Sequence, residues 1–206
     1  MDENVPVPAQ VIVIAGPSGS GKSHLSTRIG LPVLNLDDFY KDGDDPTLPC
    51  LDLGGGSPIV DWDSPGSWHH AHALDTIEQL CVAATADVPT YDIALSRRTG
   101  RRALDLAGAT HFVAEGIFAQ EVVAECLRRE LLADAICVTQ HPATTFVRRL
   151  TRDLREHRKP PTVLVRRGLH LMREQRRVVE HAAALGCRVL HPDAAYTEIR
   201  RLVAAS

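Results

Sequence analysis

Apolar and polar positions alternate along this chain with two different periods. QVIVIA at 10–15 is a short β-branched apolar run that ends on a glycine, the pattern of a strand buried on both faces. PVLNL at 32–36, HFVAEG at 111–116 and DAICVT at 134–139 read as three more strands. Between them, residues 67–84, 117–132 and 142–158 carry apolar side chains at helical spacing. A helix is also expected to start near Lys22, another to run over 163–185, and a last one to begin near 193 after a short strand, CRVL, at 187–190. Strands that alternate with helices of this length imply right-handed crossovers and a parallel sheet covered on both faces. The predicted architecture is a three-layer α/β domain.

Three stretches break the periodicity. Residues 41–60 are rich in Gly, Pro and Asp and predict an exposed loop, here taken with its flank as 41–66. PTYDI at 89–93 followed by SRRTGRRALDL at 96–106 predicts a hairpin beside the sheet. HRKPPT at 157–162 interrupts a basic helix with two prolines, as the hinge of a lid over about 148–165 would.

At 206 residues the chain suits one such domain with a small lid. Its 44% hydrophobic and 24% charged residues are those of an ordinary globular protein. No apolar run approaches the roughly 18 residues needed to cross a bilayer, and the start is acidic where a signal peptide is basic, so a cytoplasmic protein is expected. The cysteines, five and widely spaced, form no CxxC pair, and His69, His70 and His72 have no companion ligands at zinc spacing. Net charge is -3, but residues 1–96 carry -11 and residues 97–206 carry +8. Only Lys22, Lys41 and Lys159 are lysines, so the basic half is made of arginines, which grip phosphate oxygens in pairs. A nucleic-acid partner is not expected of a chain that is acidic overall.

Gly16-Pro17-Ser18-Gly19-Ser20-Gly21-Lys22-Ser23 matches GxxxxGK[ST] and lies between a predicted strand and a predicted helix. Glycines let the backbone curl round phosphates and aim N–H groups at them from a helix N-terminus, which favours an anion. Gly16, Ser18, Gly19, Ser20 and Gly21 form that cradle, Lys22 reaches the β- and γ-phosphates, and the Ser23 hydroxyl suits Mg²⁺. No NKxD or TKxD guanine signal and no Asp-Glu strand end is present. Asp37 and Asp38 end the second predicted strand and Glu115 ends the third, where strand ends face the ligand crevice. These carboxylates suit an acceptor proton or a Mg²⁺-bound water, and with the loop they point to Mg²⁺-dependent phosphoryl transfer.

GPSGSGKS at 16–23, LDDFYK at 36–41, DWDSPGSW at 61–68, PTYDI at 89–93, AEGIF at 114–118 and RRLTRD at 148–153 together resemble the uridine kinase family of P-loop nucleoside kinases. The resemblance spans most of residues 10–160 and implies the P-loop NTPase fold over 1–206. It implies ATP as donor and transfer of the γ-phosphoryl group to the 5′-hydroxyl of uridine or cytidine. On its terms Asp37 is the general base, and Ser23, Asp37 and Glu115 surround Mg²⁺. Asp63 holds ribose hydroxyls, Tyr40, Tyr91 and Arg98 line the acceptor pocket, and Arg148 and Arg152 close over the phosphates. It also implies self-association.

The chain departs from the family where the aromatic and histidine that hold the pyrimidine are replaced by Ile93 and Ser96. Thr145 replaces an arginine at the start of the lid helix, Gly66 an acidic residue of the acceptor loop, and Glu156-His157-Arg158-Lys159 the later Glu-Arg-Gly-Arg. Two alternatives follow: a kinase for another small alcohol, pantothenate-like or a sugar or sugar phosphate, and a nucleotide-binding regulatory protein with little turnover.

Overall fold

β1 (Gln10–Ala15) is buried at every residue after Gln10. A strand with two apolar faces has to lie inside a sheet, and in the computed structural model, which describes residues 8–51, 58–155 and 175–205, it lies at the sheet's centre. It pairs in parallel with β7 (His111–Glu115) on one side and β8 (Leu132–Val138) on the other. β2 (Val33–Asn35) adds to β7 and β9 (Arg188–Leu190) to β8, all parallel, giving the order β2-β7-β1-β8-β9.

Alternate β1 residues face opposite layers. Ile12 and Ile14 pack with Leu25 and Ile29 of α1 (Lys22–Ile29) and Ala195 and Ile199 of α6 (Pro192–Ala204). Val11, Val13 and Ala15 share the other layer with Leu80 of α2 (His70–Ala83), Cys126 of α3 (Val123–Arg128) and Ala182 of α5 (175–184). The expected three layers are therefore present. Truncating a fully buried residue such as Ile12 to Ala would cost about 2–5 kcal/mol.

Several boundaries differ from those the periodicity predicts. The expected helix at 117–132 is a short 3-10 turn, Ala119–Val122, followed by α3 alone. It ends because Glu130 takes a left-handed conformation, φ 59°, turning the chain into β8 while Leu131 N–H bonds to Cys126 O at 2.9 Å. The second strand stops at Asn35, and Leu36–Phe39 form a 3-10 turn. The hairpin is present as β5 (Thr85–Asp92) and β6 (Arg97–Asp105), starting four residues before the expected Pro89. Within the expected loop, β3 (Cys50–Leu51) and β4 (Ile59–Val60) make one antiparallel pair. α4 (Pro142–Arg155) carries the start of the expected lid, whose remainder at 156–165 lies outside the described residues.

Candidate active site

The C-terminal ends of β1, β2 and β7 open onto one rim, and the loop after β1 closes it from one side. Gly16 has φ +137°, and a Cβ there would stand 2.3 Å from Val138 O, so no other residue fits that turn. The buried Lys22 ammonium donates to Gly16 O at 2.7 Å and Pro17 O at 3.3 Å, which pins the loop from within. Gln140, just past β8, donates from Nε2 to Ser20 O at 2.6 Å, and Gln175 of α5 donates to Gln140 O at 2.8 Å.

Local chemistry explains where the carboxylates go. Asn35 Oδ1 accepts the Asp37 N–H at 3.2 Å, starting the 3-10 turn, and the buried Trp68 indole donates to Leu36 O at 2.7 Å, fixing it. Asp37 then accepts the Ile117 N–H at 2.9 Å. Gly116 leaves room for that approach, since a Cβ there would lie 2.8 Å from Asp37 Oδ1. Asp38 faces the other way, accepting the Tyr91 N–H at 3.3 Å, with its carboxyl pushed above the usual range by burial. The structure thus separates the acidic pair: Asp37 turns to the rim and Asp38 to the hairpin.

Glu115 is 8% exposed, and its Oε2 has no hydrogen-bond partner among the described residues. Burial pushes its carboxyl above the ordinary value, while Lys22 and a hydrogen bond with Ser23 pull it down. Ser18, Lys22, Ser23, Asp37, Glu115 and Arg148 line one cavity of about 490 Å³, together with Gly19 and Gly21 of the loop. A second cavity of about 430 Å³ shares Ser18 and Ile117 with it and contains Gly16 and Asp63. A third, of about 150 Å³, lies beyond Gly21 and is lined by His24, Arg28, Arg148 and His191.

Not every expected residue reaches these cavities. Tyr40, Tyr91 and Arg98 line none of the three. The Tyr40 ring packs against Trp62, Tyr91 and Phe118, and its hydroxyl donates to Trp62 O at 3.2 Å. The Tyr91 hydroxyl, pushed up to about 12 by burial and the Asp42 charge, donates to Lys41 O at 3.0 Å. Arg98 points outward beside Asp42, 3.7 Å away. The physical reason is shared: Tyr40 and Tyr91 form the seam that holds hairpin and acceptor loop together, so their polar ends already have protein partners. Ser96 belongs to the same seam, with φ 49° and its carbonyl accepting the Gly43 N–H at 2.7 Å. Ser20 has its side chain buried inside the loop, and the Arg152 side chain lies outside the described residues.

No protein-family model matches the chain. A solved structure described as a fructose transport system kinase from Silicibacter sp. TM1040 superposes with a TM-score of 0.61 at 17% identity, covering 93% of this chain and 91% of that one, which shows the shared fold. The chain is 29% identical over 172 residues to a uridine kinase of Deinococcus deserti, spanning 79% of this chain and 77% of that protein. The chain has the α/β P-loop fold and is similar in sequence to the uridine kinases. It also aligns at 28% identity over 162 residues with inorganic pyrophosphatase TTM1 of Arabidopsis thaliana, but there it spans only 22% of the longer protein.

Sequence reasoning missed the roles of Asn35, Gly116 and Gln140, and the position of α5 as a wall of the site. Asn35 and Gly116 carried a signal, because an Asn two residues before an Asp is a cap motif and a glycine after a strand-end Glu marks a close approach. Gln140 carried none, and the helix expected over 163–185, present at 175–184 as α5, gave no sign that it walls the site. Among the described residues no helix is long and apolar enough to cross a membrane.

Proposed function

We propose that this kinase moves the γ-phosphoryl group of ATP to the 5′-hydroxyl of uridine or cytidine, with Mg²⁺, giving the monophosphate. The observation that carries the reading is the single cavity in which Lys22 and Ser23 of the loop meet Asp37, Glu115 and Arg148. Asp37 is the general base. Its carboxylate is steadied by the Ile117 N–H and faces the cavity, ready to take the proton of a hydroxyl positioned for in-line attack. Lys22 and Arg148 hold the phosphate oxygens and oppose the charge that develops on them. Arg152, one turn further along α4, is assigned the same role on the family pattern. The third cavity, sharing Gly21, His24 and Arg148 with the phosphate cavity, takes the base of ATP.

The residues present fit Mg²⁺. Glu115 Oε2 is a buried oxygen in need of a partner, and with Ser23 and Asp37 it makes an all-oxygen set of the kind that cation prefers. Held by Ser23, Asp37 and Glu115, Mg²⁺ would offset the negative charge of the phosphates. Asp63, in the adjoining cavity, binds ribose hydroxyls.

Ile93 is 56% exposed and the hairpin lines none of the three cavities, which keeps a kinase for another small alcohol as the second reading. ADP release measured with ATP and Mg²⁺ over a panel of nucleosides and small alcohols separates the two. Release with uridine or cytidine supports the first, and release with another alcohol alone replaces it. No release with any acceptor leaves a nucleotide-binding protein with little turnover. Full activity in Lys22→Ala would remove the phosphate-loop assignment itself.

A further inference from the structure

The 430 Å³ cavity adjoins the phosphate cavity through Ser18 and Ile117 and is of ligand-pocket size. Its faces are apolar: Ile117 and Phe118 follow β7, Phe146 comes from α4 and Val178 from α5. Its polar groups include three hydrogen-bond acceptors, on Gln120, Glu121 and Asp63. Gln120 is 4% exposed, and its Nε2 donates to Glu121 Oε1 at 3.2 Å while its Oε1 has no partner among the described residues. The amide cannot reverse without setting its oxygen against the Glu121 carboxylate. His181 of α5 holds that same carboxylate oxygen at 2.8 Å. Asp63 adds a second carboxylate. Against these two, Arg177 is the one permanently charged cation among the described lining residues, so the cavity does not favour a phosphorylated guest.

Resting on the reading that Asp37 and the phosphate loop serve an alcohol acceptor, we infer that this cavity holds the acceptor's non-reacting body. Gln120 and Glu121, the latter steadied by His181, read its donors. The acceptor class is a neutral alcohol with a flat, apolar-faced body that presents N–H or O–H donors. In this kinase the turn at Ala119–Val122 with the walls of α4 and α5, and not the hairpin, chooses the substrate.

Two measurements test this: uridine binding by calorimetry, and steady-state ADP release with uridine, 3-methyluridine and ribose 5-phosphate. Uridine should bind the wild type and be turned over. 3-Methyluridine, which has lost its ring N–H, should show a KM at least tenfold higher, and ribose 5-phosphate no release. Val178→Trp fills the cavity and should raise the KM for uridine at least tenfold, with the KM for ATP changed less than twofold. Gln120→Leu, which keeps the side chain's size and removes its free acceptor, should raise it about tenfold and serves if the tryptophan variant fails to fold. Ile93→Ala should change neither constant. An unaltered uridine KM in Val178→Trp or Gln120→Leu, or a raised one in Ile93→Ala, overturns the inference while leaving phosphoryl transfer intact. Uridine binding that Val178→Trp abolishes, without ADP release in the wild type, supports the pocket and removes the catalytic reading instead.

Discussion

Ile117 donates its backbone N–H to the Asp37 carboxylate at 2.9 Å, joining the ends of β2 and β7 across 80 residues of sequence. The bond orients a charged group without neutralising it, and the same loop residue borders both the phosphate cavity and the apolar one. Orientation and charge can therefore be separated by substitution.

Asp37→Asn keeps an oxygen that can accept from Ile117, so the fold should be preserved and the thermal midpoint almost unmoved. Turnover should drop by a factor of about 10² or more, as expected when a positioned base is removed, while ATP still binds. Unchanged turnover would transfer the base to Asp63, because Asp38 faces the hairpin.

Gly116→Ala tests the space behind that carboxylate. The added methyl would lie 2.8 Å from Asp37 Oδ1 and 2.9 Å from Leu36 Cβ, so the turn has to shift. Overpacking of this kind costs about 1–3 kcal/mol. At about 2–4 °C per kcal/mol for a chain of this length, scanning calorimetry should record the loss, and kcat should fall more than the KM for ATP. A variant as stable and active as the wild type would show that the turn is not packed as described.

Glu115 gives a pH signature. Burial holds its folded carboxyl above the ordinary 4.5, so the folded state binds that proton more tightly than the unfolded chain does. Its effect on stability is absent below 4.5 and becomes a penalty as pH rises through the raised value. Glu115→Gln removes the penalty. Without nucleotide or metal, its thermal midpoint should exceed that of the wild type at pH 7, and the two should converge near pH 4. A midpoint lower than the wild type's at pH 7 would mean that the Lys22 and Ser23 contacts outweigh burial.

The thiols should divide sharply. Cys50 is exposed, whereas burial pushes Cys81, Cys126 and Cys187 up to about 12 and Cys137 to about 11. At pH 8 a thiol reagent should modify Cys50 within minutes and the other four only after unfolding, because the thiolate is the reacting form. Rapid modification of all five in the folded protein would show that these thiols are not sealed in the core.

What could be read from the sequence was whatever local chemistry decides. The glycines of 16–21 are dictated by backbone reach around an anion, and Asp37 and Glu115 by standing at the ends of apolar runs, so the rim of the site was legible before the fold. The direction of Tyr40 was not, because it depends on a 3-10 turn capped by Asn35 and locked by Trp68 from a distant segment. Tyr91 and Arg98 sit on a hairpin whose placement rests on contacts with Asp38, Lys41 and Asp42. The 117–132 pattern looked like one helix because Phe118, Val122 and Cys126 all face the core, yet a 3-10 turn followed by a shorter helix buries the same residues. The partnership of Glu121 with His181 joins segments 60 residues apart and leaves no trace in either one.

The central place of β1 bears on how the chain is made. Gln10 pairs with His111 and Val11 with Leu132, so a growing polypeptide that has emerged only as far as α2 contains the whole phosphate-loop motif and neither neighbour of its strand. Until β7 and β8 arrive, QVIVIA is an apolar β-branched segment with nothing to pair with, a hazard for association between nascent chains. Gly16 also packs closely against Val138 O, so the loop's final contacts wait for β8. Folding should therefore be late and non-local, and ATP should act on the finished domain and not on its assembly.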